Sequence, residues 1–220
     1  MKLVCPVWSG TSTARYKLDV CGALLYNQVE SRGRVGTYTG GGKEGAFVKK
    51  LVVVINGAGG VGKDTMCAFA AEKYKVRNVS SVEPIKAVAR CGGWDGDKSD
   101  KSRRLLSDLK ALFTQYNDLC FRYICGEYEQ FLKSGEQVMF VHIREPEEIA
   151  RFVAAAPEHI RTLLITNSAK ETHVYQNASD DNVGQYDYDC VYDNSLSLEE
   201  TRGAFLDFFG RMFAQYAFEE

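Results

Sequence analysis

Residues 51–65 read LVVVINGAGGVGKDT, and this stretch decides the fold. Its first six residues are an apolar run rich in β-branched side chains, which is typical of a strand buried on both faces. The next nine contain the spacing G-x-x-x-x-G-K, and a helical pattern follows directly. A strand, a glycine-rich turn and a helix in this order form the context in which that spacing binds phosphate.

The glycines of this loop have a physical role in the predicted site. They allow the backbone to curl, so that successive N–H groups point inward and form a nest for an anion. The helix that begins near Gly62 adds the positive end of its dipole, and Lys63 adds a point charge for the β- and γ-phosphates. The predicted nucleotide-binding residues are Gly57, Ala58, Gly59, Gly60, Val61, Gly62, Lys63, Asp64 and Thr65.

A magnesium site is expected at the end of the same motif. The generic pattern places Ser or Thr after the lysine as a magnesium ligand, whereas this chain has Asp64 there. A carboxylate can ligate the ion directly or through water, and Thr65 can reach the α-phosphate. We therefore expect ATP and Mg²⁺ as ligands, with Asp64 and Thr65 as the metal-site residues.

Strand and helix patterns alternate after residue 48. Five apolar runs predict strands, at 51–56, 76–80, 137–143, 162–166 and 190–193. Helical patterns lie between them: one through about residue 74, one from 84, two within 99–134, one over 145–155 and one that closes the chain. In the closing helix, Ser197 and Glu200 have capping-box spacing. This alternation predicts a three-layer α/β fold with a central parallel five-stranded sheet.

The chain changes character near residue 48. Residues 1–47 carry six basic and three acidic side chains without a sustained hydrophobic period, and residues 48–220 carry a net charge of −5. We predict that residues 48–220 form the folded domain. Residues 1–47 are expected to be a disordered basic extension or a segment ahead of the true start at Val48, since the codons for Lys43-Glu44-Gly45 can spell a ribosome-binding site.

Composition excludes several classes of protein. With 27 basic and 29 acidic residues among 220, the chain has no electrostatic basis for dedicated nucleic-acid binding. No apolar run approaches the ~18 residues of a membrane-spanning helix, and charged residues interrupt the region where a signal peptide would lie. The seven cysteines are scattered and include no Cys-x-x-Cys pair. We therefore expect reduced thiols in a cytoplasmic protein.

Further motifs follow the loop in order. Pro84-Ile85-Lys86 begins a helix, Arg103-Arg104-Leu-Leu-Ser-Asp108-Leu lies within the next, and His142-Ile143-Arg144 ends a strand. A segment with His173, Asn177 and Asp180-Asp181 then precedes Asp193-Asn194 and the final helix start at Glu200. With the loop itself, these motifs resemble the deoxynucleoside monophosphate kinases and adenylate-kinase-like proteins of the P-loop kinase family. The resemblance covers about residues 50–205, and its loop is the most specific part.

The resemblance implies roles for residues outside the loop. It implies an acceptor-binding insertion at about 84–134 and a lid at about 167–187. Lys86, Arg103 and Arg104 would hold the acceptor phosphate, and Arg103, Arg104 and Arg144 would join Lys63 in stabilising the transferring phosphoryl group. Arg144 is expected to meet either Glu148 or a phosphate. Trp94 could stack on a base, although a loop aromatic more often packs locally.

Two departures from the family pattern bear on catalysis. His142 stands where the family has an acid that helps to hold magnesium, and a neutral imidazole cannot replace that charge. No arginine lies between residues 162 and 201, although lids of nucleotide kinases close arginines over the phosphoryl group. Lys170 or Arg161 would have to supply the charge instead.

The expected function is transfer of the γ-phosphoryl group of ATP to a nucleoside or deoxynucleoside monophosphate. The enzyme would be a monomer or homodimer. Its substrates would be small-molecule nucleotides, and it would have no membrane partner. Two alternatives stay open. A phosphomevalonate-type kinase also carries a GKD loop, and an ATP-binding sensor or regulatory protein without transferase activity would explain both departures.

Overall fold

The strand that leads into the glycine-rich loop lies in the middle of the sheet. The computed structural model describes residues 48–169 and 183–219, all of which belong to one compact unit. Strand β1 spans Lys49–Asn56, and every residue from Lys50 onward is buried. Its neighbours are β3 (Val138–His142) on one side and β4 (Ile160–Thr166) on the other, both parallel to it. The apolar sequence of β1 predicts this burial of the strand on both faces of the sheet.

The sheet continues outward on both sides of this centre. Strand β2 (Val76–Ser80) pairs with β3, and β5 (Cys190–Asp193) pairs with β4, so the order is β2-β3-β1-β4-β5 with every pair parallel. The predicted parallel five-stranded sheet is therefore confirmed. A short strand that the sequence did not indicate, β6 (Phe218–Glu219), pairs antiparallel with Lys49 and Lys50.

The helices lie where the periodicity predicts them. The described part of the chain contains α1 (Lys63–Ala71), α2 (Glu83–Cys91), α3 (Asp100–Asn117), α4 (Leu119–Leu132), α5 (Pro146–Ala155) and α6 (Leu198–Tyr216). The predicted capping box at the start of α6 is present, because the Ser197 and Glu200 side chains each bond the backbone of the other. None of the helices within 48–169 and 183–219 is long and apolar enough to cross a membrane.

The main core lies between the sheet, α1 and α6. Apolar side chains of β1, such as Val53 and Ile55, pack with Met66 of α1 and with Phe205 and Phe209 of α6. These side chains are at most 1% exposed. The core therefore fixes β1 relative to the start of α1, and it is the loop between these two elements that carries the phosphate-binding motif.

A buried lysine joins β1 to the end of α4. Lys50 is 2% exposed, and its Nζ donates to the carbonyl oxygens of Phe131 at 3.0 Å, Ser134 at 2.7 Å and Glu136 at 3.0 Å. The ammonium also lies 4.6 Å from the centre of the Phe131 ring. A cation at a helix C-terminus satisfies carbonyls that lack helical partners. Sequence reasoning assigned Lys50 no role.

Some predictions fall outside the described residues. These are the nature of residues 1–47 and most of the lid, including Lys170, His173, Asn177 and the pair Asp180-Asp181.

Candidate active site

The glycine-rich loop follows β1 at the carboxyl edge of the parallel sheet, where ligands bind in open α/β folds. Gly57, Gly60 and Gly62 have φ angles of +146°, +80° and +102°. A Cβ at Gly57 would lie 2.3 Å from the carbonyl oxygen of Ile165, and one at Gly62 would lie 2.4 Å from the Asn194 side-chain nitrogen. Both the backbone angles and the close neighbours therefore require glycine at these positions.

Lys63 is the first residue of α1, and its ammonium folds back along the loop. Its Nζ donates to the carbonyl oxygens of Ala58, at 2.8 Å, and of Gly57. This geometry holds the positive charge beside the backbone amides at the N-terminus of α1. Those amides, the helix dipole and the ammonium are the groups that the motif predicts for an anion site.

Asn56 ties the beginning of the loop to two other segments. This side chain is 1% exposed, and its Oδ1 accepts from the Gly57 amide at 2.8 Å. Its Nδ2 donates to the Arg144 carbonyl oxygen at 3.2 Å and to the Tyr188 hydroxyl at 2.7 Å. Asn56 therefore fixes the loop relative to the end of β3, which carries Arg144. The sequence analysis missed this role, and the only available signal was a polar residue at the end of an apolar strand.

Asn194 holds the other end of the loop. Its Nδ2 donates to the Val61 carbonyl oxygen at 2.8 Å, and its backbone amide donates to the Thr166 carbonyl oxygen at 2.8 Å. Its own carbonyl accepts from the Asn167 side chain at 2.6 Å. Asn194 thus joins the loop to the ends of β4 and β5. The sequence places Asn194 directly after a predicted strand but indicates no function for it.

His142 lies at the end of β3, beside the loop. Its Nε2 is 3.9 Å from the Cys67 sulfur. Burial lowers the pKa of His142, and the charges of Lys63, Lys86 and Arg144 lower it further, while Asp64 opposes them. The imidazole is therefore neutral at pH 7. Lys63, Lys86 and Arg144 are therefore all near enough to His142 to influence its pKa.

Asp64 and Thr65 fit a magnesium ion that is also bound by nucleotide phosphates. Asp64 is exposed in the first turn of α1, and the half-buried Thr65 follows it. Magnesium is usually held by one or two carboxylates together with phosphates and waters. Within the described ranges, no group of three or more His, Cys, Asp or Glu side chains could hold a metal by itself. The donor set therefore suits an ion that arrives with a nucleotide.

Arg144 lies just after β3, and the sequence leaves Glu148 or a phosphate as its expected partner. Glu148 accepts from Lys110 Nζ at 2.7 Å. The Arg144 side chain is exposed, so it does not need a carboxylate to offset burial. The expectation that Glu148 or a phosphate meets Arg144 stays a prediction, and Arg144 follows β3 at the carboxyl edge of the sheet, as the sequence predicts.

The other predicted acceptor-side residues lie on α2, α3 and the connection between them. Lys86 Nζ donates to Glu83 at 3.2 Å. Arg103 and Arg104 are exposed in the first two turns of α3. The Trp94 indole donates to the backbone and side-chain oxygens of Asp97, both at 3.2 Å, which gives it a local packing role. Their roles toward a substrate stay predictions.

Arg161 cannot serve the lid. It lies at the start of β4, and this strand runs parallel to β1, so its start is at the edge opposite the loop. Its Nη1 donates to the carbonyl oxygens of Pro157 and Ile160, both at 2.8 Å, and its guanidinium lies 4.9 Å from the centre of the Tyr216 ring. The suggestion that Arg161 could reach the transferring phosphoryl group is therefore wrong.

Comparison with known proteins adds the following. No protein-family model matches the chain, and no curated protein matches it. Similar solved structures include a sugar kinase from Janibacter sp. HTCC2649 (14% identity, 73% of this chain and 95% of that one, TM-score 0.43). A gluconokinase from Sinorhizobium meliloti 1021 is 13% identical, with 76% of this chain and 94% of that one covered and a TM-score of 0.42. The tunicamycin resistance protein of Deinococcus radiodurans is also 13% identical, with 73% of this chain and 96% of that one covered and a TM-score of 0.44. At these identities and TM-scores, the likenesses carry no argument about activity. The α/β fold expected from the P-loop kinase resemblance is confirmed by the sheet order and by the loop after β1.

Proposed function

We propose that this protein transfers the γ-phosphoryl group of ATP to a small phosphorylated acceptor, namely a nucleoside or deoxynucleoside monophosphate. The observation that carries the proposal is the loop between β1 and α1. Its glycines have positive φ angles, and Lys63 is held against the loop carbonyls. The loop lies at the carboxyl edge of the sheet, and Lys86 and Arg144 both influence the pKa of His142, which ends the neighbouring strand β3.

In the proposed mechanism the chain supplies positioning and electrostatic stabilisation, and little covalent chemistry is required of it. The loop amides and Lys63 hold the β- and γ-phosphates. Asp64 and Thr65 would hold a magnesium ion, which neutralises phosphate charge when bound. Lys86, Arg103, Arg104 and Arg144 orient the acceptor phosphate and stabilise the charge that spreads over the transferring group.

A second candidate is an ATP-binding sensor or regulatory protein. The observation that favours it is the environment of Arg161, which is turned to the opposite edge of the sheet, while the sequence has no arginine between residues 162 and 201. A lid without arginine would leave the transferring phosphoryl group with less fixed positive charge.

A direct assay separates the two candidates. The protein is incubated with ATP, Mg²⁺ and a panel of nucleoside monophosphates, deoxynucleoside monophosphates and phosphorylated alcohols, and the products are resolved by ion-exchange chromatography. A diphosphate product that depends on the acceptor supports the kinase. ATP binding by calorimetry without a product supports the sensor. If ATP does not bind at all, both are wrong.

A further inference from the structure

A cavity of about 430 Å³ lies among α3, the beginning of α4 and the beginning of α5. Its lining includes Ser107, Lys110, Ala111 and Thr114 from α3, together with Glu145 and Glu148. Small-molecule sites have volumes of about 300–1,000 Å³. The cavity is therefore large enough for a group the size of a nucleobase.

The cavity is on the acceptor side of the phosphate-binding loop. Glu145 directly follows Arg144, whose carbonyl oxygen accepts from the Asn56 side chain at the loop entrance. Strand β3, which leads to Arg144, is the neighbour of β1 on the side away from β4 and β5. On α3, Arg104 precedes Ser107 by three residues and Ala111 by seven, so helical geometry places it on the cavity face. Arg104 and Arg144, which hold the acceptor phosphate in the proposed function, thus adjoin two walls of this cavity along the chain.

The polar lining contains the neutral side chains Ser107, Thr114 and Gln115, and most of its charged groups are carboxylates. Lys110 Nζ lies 2.6 Å from a Glu145 carboxylate oxygen and 2.7 Å from one of Glu148, so it fixes both carboxylates. Arg151, the other cation of the lining, pairs with Asp118. Four acidic and two basic residues line the cavity. Glu145 and Glu148 also share a side-chain hydrogen bond. Since each carboxyl group has about four lone-pair positions, both retain sites that a donor can fill.

We propose that this cavity binds the end of the acceptor that lies away from its phosphate, and that it selects nucleobases that carry an exocyclic amino group. This inference rests on the proposed function and narrows its substrate. A base edge with an amino group donates to the carboxylates. A thymine edge has two carbonyl oxygens around a single N–H, so it brings hydrogen-bond acceptors against Glu145 and Glu148, and an acceptor with a free carboxylate brings a negative charge against them. The cavity therefore disfavours a phosphomevalonate-type acceptor.

Calorimetric titration without ATP tests the selectivity directly. The probes are dCMP and dAMP, which carry amino groups, dTMP, which has none, and ribose 5-phosphate, which has no base. We expect dCMP or dAMP to bind at least about fivefold more tightly than dTMP and ribose 5-phosphate. An amino group donates to a carboxylate, whereas dTMP places a carbonyl oxygen on each side of its single N–H and ribose 5-phosphate has no base.

Variants then assign the preference to the cavity. Glu145→Gln and, separately, Glu148→Gln should reduce the preference for the amino-bearing probes over dTMP. The matched control is Glu158→Gln, because Glu158 is an exposed glutamate outside the cavity lining. It removes the same charge and should leave the preference unchanged. Circular dichroism and thermal melts of each variant establish that it is folded.

The outcomes separate this inference from the proposed function. The inference is overturned if all four probes bind equally or if none binds. It is also overturned if the cavity variants and the Glu158 control show equal selectivity. Phosphoryl transfer to all monophosphates without the predicted preference also overturns it, while the proposed kinase activity stands. A wild-type protein that selects dCMP or dAMP but transfers no phosphoryl group from ATP contradicts the proposed activity and supports the cavity assignment.

Discussion

The contact between Gly62 and Asn194 leaves no room for a side chain at position 62 of the phosphate-binding loop. The φ of Gly62 is +102°, a conformation that residues with a Cβ rarely adopt, and the Asn194 side chain occupies the space that a Cβ would need. That same side chain donates to the Val61 carbonyl oxygen. The shape of the loop is therefore fixed from two directions, by its own backbone and by a residue that follows β5.

Gly62→Ala tests this fit at the residue scale. We expect weaker ATP binding and a free energy of unfolding lower by about 1–3 kcal/mol, because the new methyl group is strained in φ and displaces Asn194. Gly203→Ala is the matched control, since a Cβ at this position in α6 would meet no neighbouring atom within 4 Å. That change should stabilise the protein by about 0.5–1 kcal/mol. Urea unfolding and calorimetry measure both, and equal effects of the two variants would contradict the argument.

Lys63→Ala tests the charge that the loop holds. Turnover should fall by about 10²–10³-fold, because a preorganised positive charge on the transferring group is lost. Far-ultraviolet circular dichroism should be unchanged, since the Lys63 hydrogen bonds described above go to carbonyls of the loop rather than to the core. Lys73→Ala, which removes an exposed lysine just after α1, is the control. Unchanged turnover in Lys63→Ala would reject the assignment of the donor site.

His142 makes stability depend on pH. Burial lowers the pKa of His142 in the folded protein below its ordinary value of 6.5, so the unfolded chain binds a proton more readily. The contribution of the neutral imidazole is fully present above that ordinary value and is lost as the pH falls below it. His142→Gln should therefore weaken the dependence of the urea midpoint on pH between about pH 7.5 and about pH 5.5. An identical pH profile in the variant would exclude His142 as the cause.

At the scale of elements, Lys50 connects the central strand to the end of a helix on the acceptor side. Lys50→Met should lower the free energy of unfolding by about 1–3 kcal/mol, because carbonyls at the end of α4 lose their buried donor. Lys49→Met, at the adjacent exposed position, is the control and should have little effect. Chemical denaturation followed by tryptophan fluorescence measures both. A loss no larger than that of the control would show that water replaces the ammonium at no cost.

The sequence predicted the elements well because their signals are local. The apolar run of β1, the period of α3 and the capping box of α6 each lie within a few turns of chain, and each lies where predicted. Lys50 and Asn56 were missed because their roles depend on carbonyls and amides that are more than 80 residues away or created by the loop itself. Arg161 was misplaced although its position at the start of a parallel strand already indicated the wrong edge of the sheet.

At the scale of the whole molecule, nucleotide binding should stabilise the fold. The loop is joined to β3 through Asn56 and to β4 and β5 through Asn194, so ATP bound there favours the state in which these ends are together. At an ATP concentration about 100 times the dissociation constant, the free energy of unfolding should rise by about 2.7 kcal/mol. Thermal melts with Mg²⁺ and increasing ATP measure the effect. Lys63→Ala should show little of it, and an equal rise in that variant would place the bound nucleotide elsewhere.

The short strand β6 brings the two ends of the folded unit together. Lys49 pairs with Glu219 and Lys50 with Phe218, so the last described residues lie beside the first strand. A short linker from residue 219 to residue 49 would need to cross only one strand spacing, about 5 Å. The unit is therefore suited to circular permutation, with new ends opened in an exposed turn and the order of strands in space unchanged. In contrast, a bulky fusion placed directly after residue 219 would lie against the beginning of β1, the strand that leads into the phosphate-binding loop.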